Sequence, residues 1–190
     1  HNLELILRVI DNLIWVDNSE NKLEIDMALV NTLGDERLFN IADKYGWNIF
    51  SDADQYKLIK NNKTINIYRN AFVKVLKSSD LLLSMSGTAA EQAIGLGKPV
   101  LQLPGFGPQF TKSFADAQRR LLGPNIFCAD GKVGSKYNIE QTSLLIVKLI
   151  KEFKNKKNFQ DVCIKEAKIR LGTAGGGIRI ADQISDLLKS

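Results

Sequence analysis

The sequence predicts an α/β fold: a mostly parallel sheet with a hairpin and C-terminal helices. Two observations carry this expectation. Short apolar runs of strand length alternate with amphipathic stretches at helical spacing, as βα units do. The run from Asp80 to Leu122 then reads strand, helix, strand, helix, with small residues or a loop where each strand ends. A third feature departs from a pure βαβ pattern. Asn61-Asn62, a pair that tolerates positive φ, separates two strand-like runs and signals a hairpin.

Taken in order, Leu3, Ile6, Leu7, Ile10, Leu13 and Ile14 fall at helical spacing, so the first element is a helix. A strand is expected from Leu23 to Val30 and a helix from Asp35 to Lys44. Tyr56 to Lys60 and Lys63 to Tyr68 form the hairpin, followed by a helix from Ala71 to Lys77. Strand Asp80 to Ser84, helix Thr88 to Leu96 and strand Pro99 to Leu103 come next. A Pro- and Gly-rich loop, Pro104 to Pro108, leads to helix Thr111 to Leu122 and a short strand, Asn125 to Ala129. From Ile139 onward the chain reads helical. One helix carries Ile146, Leu149, Ile150 and Phe153 on one face, and a second runs from Phe159 to Arg170. The loop Gly172 to Gly177 precedes a final helix with Ile180, Ala181, Ile184, Leu187 and Leu188 on its apolar face. No internal repeat or linker divides the chain, so residues 1–190 read as one domain.

Composition narrows the function classes. At 190 residues, 44% apolar and 25% charged, the chain can bury a full core. A net charge of +5 comes mostly from scattered lysines, and the densest run, Lys151 to Lys157, suits a solvated helix end without nucleic acid. A mildly basic face also suits a diphosphate or an anionic membrane surface. Cys128 and Cys163 lie far apart and lack metal spacing; Cys128 ends an apolar run and reads as a core thiol under reducing conditions. No stretch approaches the length of a membrane span, and the expected location is the cytoplasm or the inner face of the membrane. His1, the single histidine, sits at the terminus and reads as a tag remnant, so no internal histidine offers a general base.

The chemistry concentrates at Ser84-Met85-Ser86-Gly87-Thr88-Ala89-Ala90. A buried strand that turns through small residues into a helix aims free N–H groups and the positive end of the helix dipole at one spot. Gly87 would let backbone approach a phosphate, and the hydroxyls of Ser86 and Thr88 could donate to it. The alternative is that Ser86 and Thr88 only cap the helix. Three other motifs are weaker. Asp52-Ala53-Asp54 could chelate a hard cation, but turn or cap roles suit it better. Gly95-Leu-Gly97 precedes a strand instead of following one, so it is no dinucleotide fingerprint, and Gly97-Lys98 lacks the rest of a phosphate-binding loop. Gly175-Gly176-Gly177 reads either as a close approach at an interdomain cleft or as a flexible turn.

Ser86-Gly-Thr-Ala, the short helix to Gly97-Lys98-Pro99, and the strand after it resemble the donor site of the lipid-A-disaccharide synthase family of GT-B glycosyltransferases. Gln102-Leu-Pro-Gly-Phe-Gly-Pro-Gln109, Gln118-Arg-Arg-Leu-Leu-Gly123 and Arg170-Leu-Gly-Thr-Ala-Gly175 resemble the same family, closest to its "related" branch. The resemblance implies a doubly wound, Rossmann-like GT-B C-terminal domain, with the hairpin at Asn61 as an insertion, that binds a UDP-sugar without metal or cofactor. It places uracil near Tyr68 and Phe72, the diphosphate on Ser86, Gly87 and Thr88, and ribose on Glu91 or Gln92. Glu91 stands one position early against the family spacing, with Gln92 in the matching place. The loop with Gly105, Gly107 and Gln109 would contact the sugar or a phosphate.

By family analogy the full-length enzyme is a hexosyltransferase acting on a lipid-linked or amphipathic acceptor, in peripheral contact with a membrane and without nucleic acid. Its catalytic base and acceptor site would lie on an N-terminal domain outside this chain. So would a central first strand and a Gly-Ser-Arg turn facing the diphosphate, which makes the chain a truncated half, inactive alone. Two rivals stay open: half of a UDP-sugar 2-epimerase, and a non-catalytic module that binds nucleotide sugars.

Overall fold

In the computed structural model, residues 2–15, 22–52, 55–107 and 111–189 are described. They form seven strands and eight helices. The first sheet is built on β1 (Ile25–Leu29), β2 (Asn48–Asp52), β3 (Gln55–Lys60) and β4 (Lys63–Arg69), in the order β1-β4-β3-β2. β1 runs parallel to β4 with Ile25 opposite Ile65, while β4, β3 and β2 form an antiparallel meander. The β3–β4 turn is Asn61-Asn62, and Asn61 has φ 53°. That is the left-handed conformation asparagine tolerates, and it lets a two-residue turn follow the twist of its strands. The second sheet is β5 (Leu82–Ser84), β6 (Val100–Gln102) and β7 (Ile126–Cys128), all parallel.

The α/β class and the hairpin are as expected, but two details are corrected. The described strands form two sheets, not one doubly wound sheet. β2 was not anticipated; its adjacent Ile49 and Phe50 break the alternation that marks a half-buried strand. Asp52 therefore ends a strand opposite Gln55 instead of lying in a loop, and Asp54 falls outside the described residues.

Helices cover the sheets. α1 (Asn2–Asp11) buries Leu5, Leu7, Val9 and Ile10, and α2 (Asp35–Lys44) buries Leu38 and Ala42. α3 (Phe72–Ser78) packs on β1 and β4, and α4 (Gly87–Gly95) on β5 and β6. α5 (Lys112–Leu122) and α6 (Lys136–Asn155) start on the hydroxyls of Thr111 and Ser135, each accepting from a first-turn N–H as an N-cap should. α7 (Lys157–Leu171) packs on α4, α5 and α6.

α1 has a defined direction across the molecule. Its first residue, Asn2, accepts from the Phe106 N–H beyond the carboxyl end of β6. Its last, Asp11, receives Lys60 at 2.7 Å and, through its carbonyl, Lys63 at 2.9 Å, where β4 begins. The helix thus runs from carboxyl ends back to amino ends.

A large core joins α1, α2 and α6 to β1, β3 and β4, and Leu81, Leu83, Met85, Leu101 and Leu103 around the second sheet share it. A smaller core gathers Leu76, Ala90, Ala93, Ile94, Val100, Leu122 and Ile126. α8 (Gly176–Lys189) buries no residue. Its loop is a local turn: Gly172 and Gly175 have φ 73° and 88°, and Arg179 donates back to the carbonyls of Thr173 and Ala174. Among the described residues, the nearest atoms to Gly175 and Gly176 are those of Arg179.

The two thiols are free. Cys163 is fully buried on α7, and burial pushes its thiol up to about 11. Cys128 is half-buried; burial raises it too, opposed by Lys112. A thiol reagent at pH 8 is expected to label Cys128 in the native protein and Cys163 only on unfolding. Because the folded value for Cys163 lies above the ordinary 9.0, its contribution to stability is complete below pH 9 and is lost as pH rises through about 11. An alkaline melting series on Cys163→Ala should lack that limb.

Candidate functional site

The carboxyl end of β5 turns directly into α4. Ser84, the last residue of the strand, is buried, and its hydroxyl accepts from the Ser86 N–H and donates to the Ser86 carbonyl, both at 3.0 Å. This two-way bond closes the turn and fixes where the helix begins. Ser86 is the N-cap, with extended backbone (φ −120°, ψ 139°). Its side chain makes no capping bond, so the capping-only reading fails for Ser86. The first bond of the helix runs from Ala90 N–H to the Ser86 carbonyl at 3.3 Å. The amides of Gly87, Thr88 and Ala89 therefore have no acceptor within the helix. Ser86 and Thr88 are exposed beside them. Three donors without a helix acceptor and two hydroxyls at the positive end of a helix can hold an anion.

Gly87 has a second reason to be glycine. A Cβ there would lie 2.7 Å from Gln118 Nε2 and 3.2 Å from the ring of Phe114, both on α5. Gln118 is buried and accepts from the side-chain amide of Gln102, which closes β6. The first turn of α4 thus rests on a buried glutamine pair, and close helix packing accounts for the missing side chain at Gly87. A bulky residue there would perturb α5 before it touched a ligand. Gln118→Leu is expected to leave Gln102 buried and unpaired, costing about 1–3 kcal/mol. Chemical denaturation measures this; an unchanged midpoint would mean that water replaces the lost partner.

The other expected site residues divide into groups. Glu91 and Gln92 are exposed one turn into α4. Gly105 follows β6 closely packed, since a Cβ there would lie 2.2 Å from Met85 Cε and 2.6 Å from Asn2 Oδ1. That contact brings the Gly105 to Gly107 loop beside Met85, next to the start of α4. Gly107 is exposed with φ 120°, and Gln109 lies outside the described residues. Tyr68 lies in β4 opposite Ala28, half-buried. Phe72 opens α3 and packs against the smaller core that includes Ala90 of α4.

Lys98 takes no part at the start of α4. Its ammonium donates to the carbonyls of Lys77 and Ser79 at the end of α3, where cations suit the helix dipole. Burial lowers its pKa, partly offset by Asp80.

An open cavity of about 1180 Å³ lies elsewhere, between the carboxyl end of β1 and α3. Phe72 lines it, whereas Ser86, Gly87 and Thr88 do not. Sequence reasoning missed Gln118 and Gln102 as the residues that seat the first turn of α4, and Lys98 as a cation at the end of α3. The one available signal was Gln102 in an apolar strand, which does not reveal that it meets Gln118. Among the described residues no group of His, Cys, Asp and Glu is placed to hold a metal, and no helix is long and apolar enough to cross a membrane. No family model, curated protein or solved structure matches the chain.

Proposed function

We propose that the chain is the UDP-sugar-binding half of a GT-B glycosyltransferase resembling the lipid-A-disaccharide synthase-related family. The observation that carries this reading is the start of α4 at the carboxyl end of a parallel strand, without a side-chain cap and with three amides that have no acceptor within the helix, flanked by the Ser86 and Thr88 hydroxyls. Open α/β sheets take nucleotides at such ends. In this role the first turn of α4 holds the diphosphate, and its fixed dipoles stabilise the charge that develops on the leaving phosphate as the bond to the sugar breaks. Glu91 or Gln92, one turn on, faces ribose. The loop from Gly105 to Gly107 approaches from the Met85 side and borders the sugar. The base and the acceptor site belong to another domain of the full-length enzyme.

Because amides and hydroxyls do the neutralising, binding is expected to be independent of metal. Calorimetric titration of the 190-residue chain with UDP, in chelator and then in Mn²⁺, should give the same affinity. Uridine should bind at least tenfold more weakly, about 1.4 kcal/mol. An affinity that appears only with Mn²⁺, or equal binding of UDP and uridine, would overturn the reading.

A further inference from the structure

The amino ends of the second sheet carry a concentration of positive charge that the start of α4 does not use. Val100, the first residue of β6, donates its N–H to the Asn125 carbonyl just ahead of β7. Residues 123–125 thus lie at the opposite end of these strands from Ser84 and the first turn of α4. Here the last turn of α5 meets α7. Asp116, Arg119, Arg120, Gly123, Pro124 and Arg170 line an open cavity of about 580 Å³, so guanidiniums from two helices share it.

The backbone fixes their spacing. Gly123 closes α5 by donating its N–H to the Arg119 carbonyl at 2.9 Å, with φ 96°. A Cβ at that position would lie 3.2 Å from Glu166 Oε2 and 3.3 Å from Arg170 Nε. Glycine therefore serves twice, supplying the positive φ and leaving room for Arg170 to reach the end of α5. Asn125 ties the same loop to α7 by donating to the Cys163 carbonyl at 3.4 Å. The charges around the cavity are unevenly matched. Arg170 pairs with Glu166 through Nε at 3.6 Å. Among the described residues, Arg119 and Arg120 hold no ion pair, although Asp116 lines the same cavity. Cations in a last turn complement their own helix dipole, which accounts for one charge at each helix end. It does not account for gathering three around one cavity, where like charges repel.

We infer that this cavity binds a compact, multiply charged oxyanion, a phosphate monoester or a diphosphate. Guanidinium forks pair bidentately with phosphate oxygens, and a ligand with several such oxygens can engage three forks at once. A single carboxylate would engage one. No aromatic side chain lines the cavity for a base to stack on, so a nucleic-acid strand is not the occupant. The inference is independent of the ligand reading for α4, because the two places share no residue.

Pyrophosphate is the probe, titrated into the 190-residue chain at physiological salt while backbone amide resonances are followed. Saturable shifts are expected at residues 119–124 and 169–171, whatever happens at residues 86–89. Arg119→Gln/Arg120→Gln should weaken binding at these residues about tenfold or more. Arg119→Lys/Arg120→Lys keeps the charge that suits the helix dipole but loses the forks. It should weaken binding about threefold with an unchanged melting temperature, which a merely structural role would not produce. Lys165→Gln/Lys168→Gln removes two exposed charges of α7 outside the cavity and should leave the affinity within about twofold. No saturable shift at residues 119–124 and 169–171, or equal weakening by the two glutamine pairs, would mark a diffuse positive surface and overturn the site. Sedimentation with phosphatidic acid vesicles separates the sources of the phosphate. Vesicles that carry down the parent chain and leave Arg119→Gln/Arg120→Gln in solution assign a lipid headgroup. Equal sedimentation of both, or of neither, assigns a free phosphate compound.

Discussion

Ser86→Asp is expected to separate helix stability from ligand binding by moving them in opposite directions. Aspartate is among the best N-cap residues, and its charge suits the positive end of α4, so the helix should gain about 0.3–1 kcal/mol. The same carboxylate would stand beside the first-turn amides of Gly87, Thr88 and Ala89, where the diphosphate is proposed to sit. Two like charges about 4 Å apart repel by about 4 kcal/mol at an effective dielectric of 20, and solvent exposure reduces this to about 2 kcal/mol. UDP affinity should therefore fall roughly thirtyfold while the melting temperature holds or rises. Ser86→Ala, which removes one hydroxyl and adds no charge, should lose far less. Unchanged UDP binding by the aspartate variant would place the ligand elsewhere.

The largest stability loss is expected at Gly97. Its φ of 68° is left-handed, and a Cβ there would sit 2.8 Å from Ile164 Cγ1 and 3.3 Å from Ile164 Cα on α7. The side-chain atom can turn away; the backbone of a packed helix cannot. Gly97→Ala should thus combine about 1–2 kcal/mol of left-handed strain with about 1–3 kcal/mol of overpacking. For a domain of this size that lowers the melting temperature by about 10 °C. Gly172 supplies the control, because its φ is 73° but nothing lies within 4 Å of its would-be Cβ. Gly172→Ala should show the strain term alone. Equal losses at the two positions would mean that α7 yields to the methyl group at no cost.

Local signals were legible where the chain carries its own instructions. The helix expected from Asp35 to Lys44 is α2, which carries Asp35 and Glu36 in its first turn and Lys44 in its last. Asn61-Asn62 announced the β3–β4 hairpin because its backbone geometry is a property of the pair itself. Pairing between distant strands was not legible. β5, β6 and β7 are three residues each, too short to encode which edge meets which neighbour. The start of α4 was legible as a place, but the role of Gly87 was not. Glycine at a helix start serves an approaching anion or an approaching helix equally well, and only the position of Gln118, distant in sequence, shows the second demand. Phe72 illustrates the same limit, since an aromatic at a helix start reads alike as a base platform and as a wall of apolar packing.

The mixed sheet also bears on how the chain acquires its structure in time. β3 and β4 meet across two residues, Lys60 opposite Lys63, and β2 adds through a similarly short connection, Asp52 opposite Gln55. Contacts this close in sequence cost little loop-closure entropy and form within microseconds. The parallel contact of β1 with β4 joins Ile25 to Ile65 and must enclose α2 and the whole meander. In β5, β6 and β7, every pairing likewise waits for an intervening helix to be laid down. Folding is therefore expected to proceed from the meander outward, with the antiparallel strands presenting β4 as a finished edge on which β1 docks late. The transition state should be polarised toward residues 55–69, with the parallel contacts made on the downhill side of the barrier.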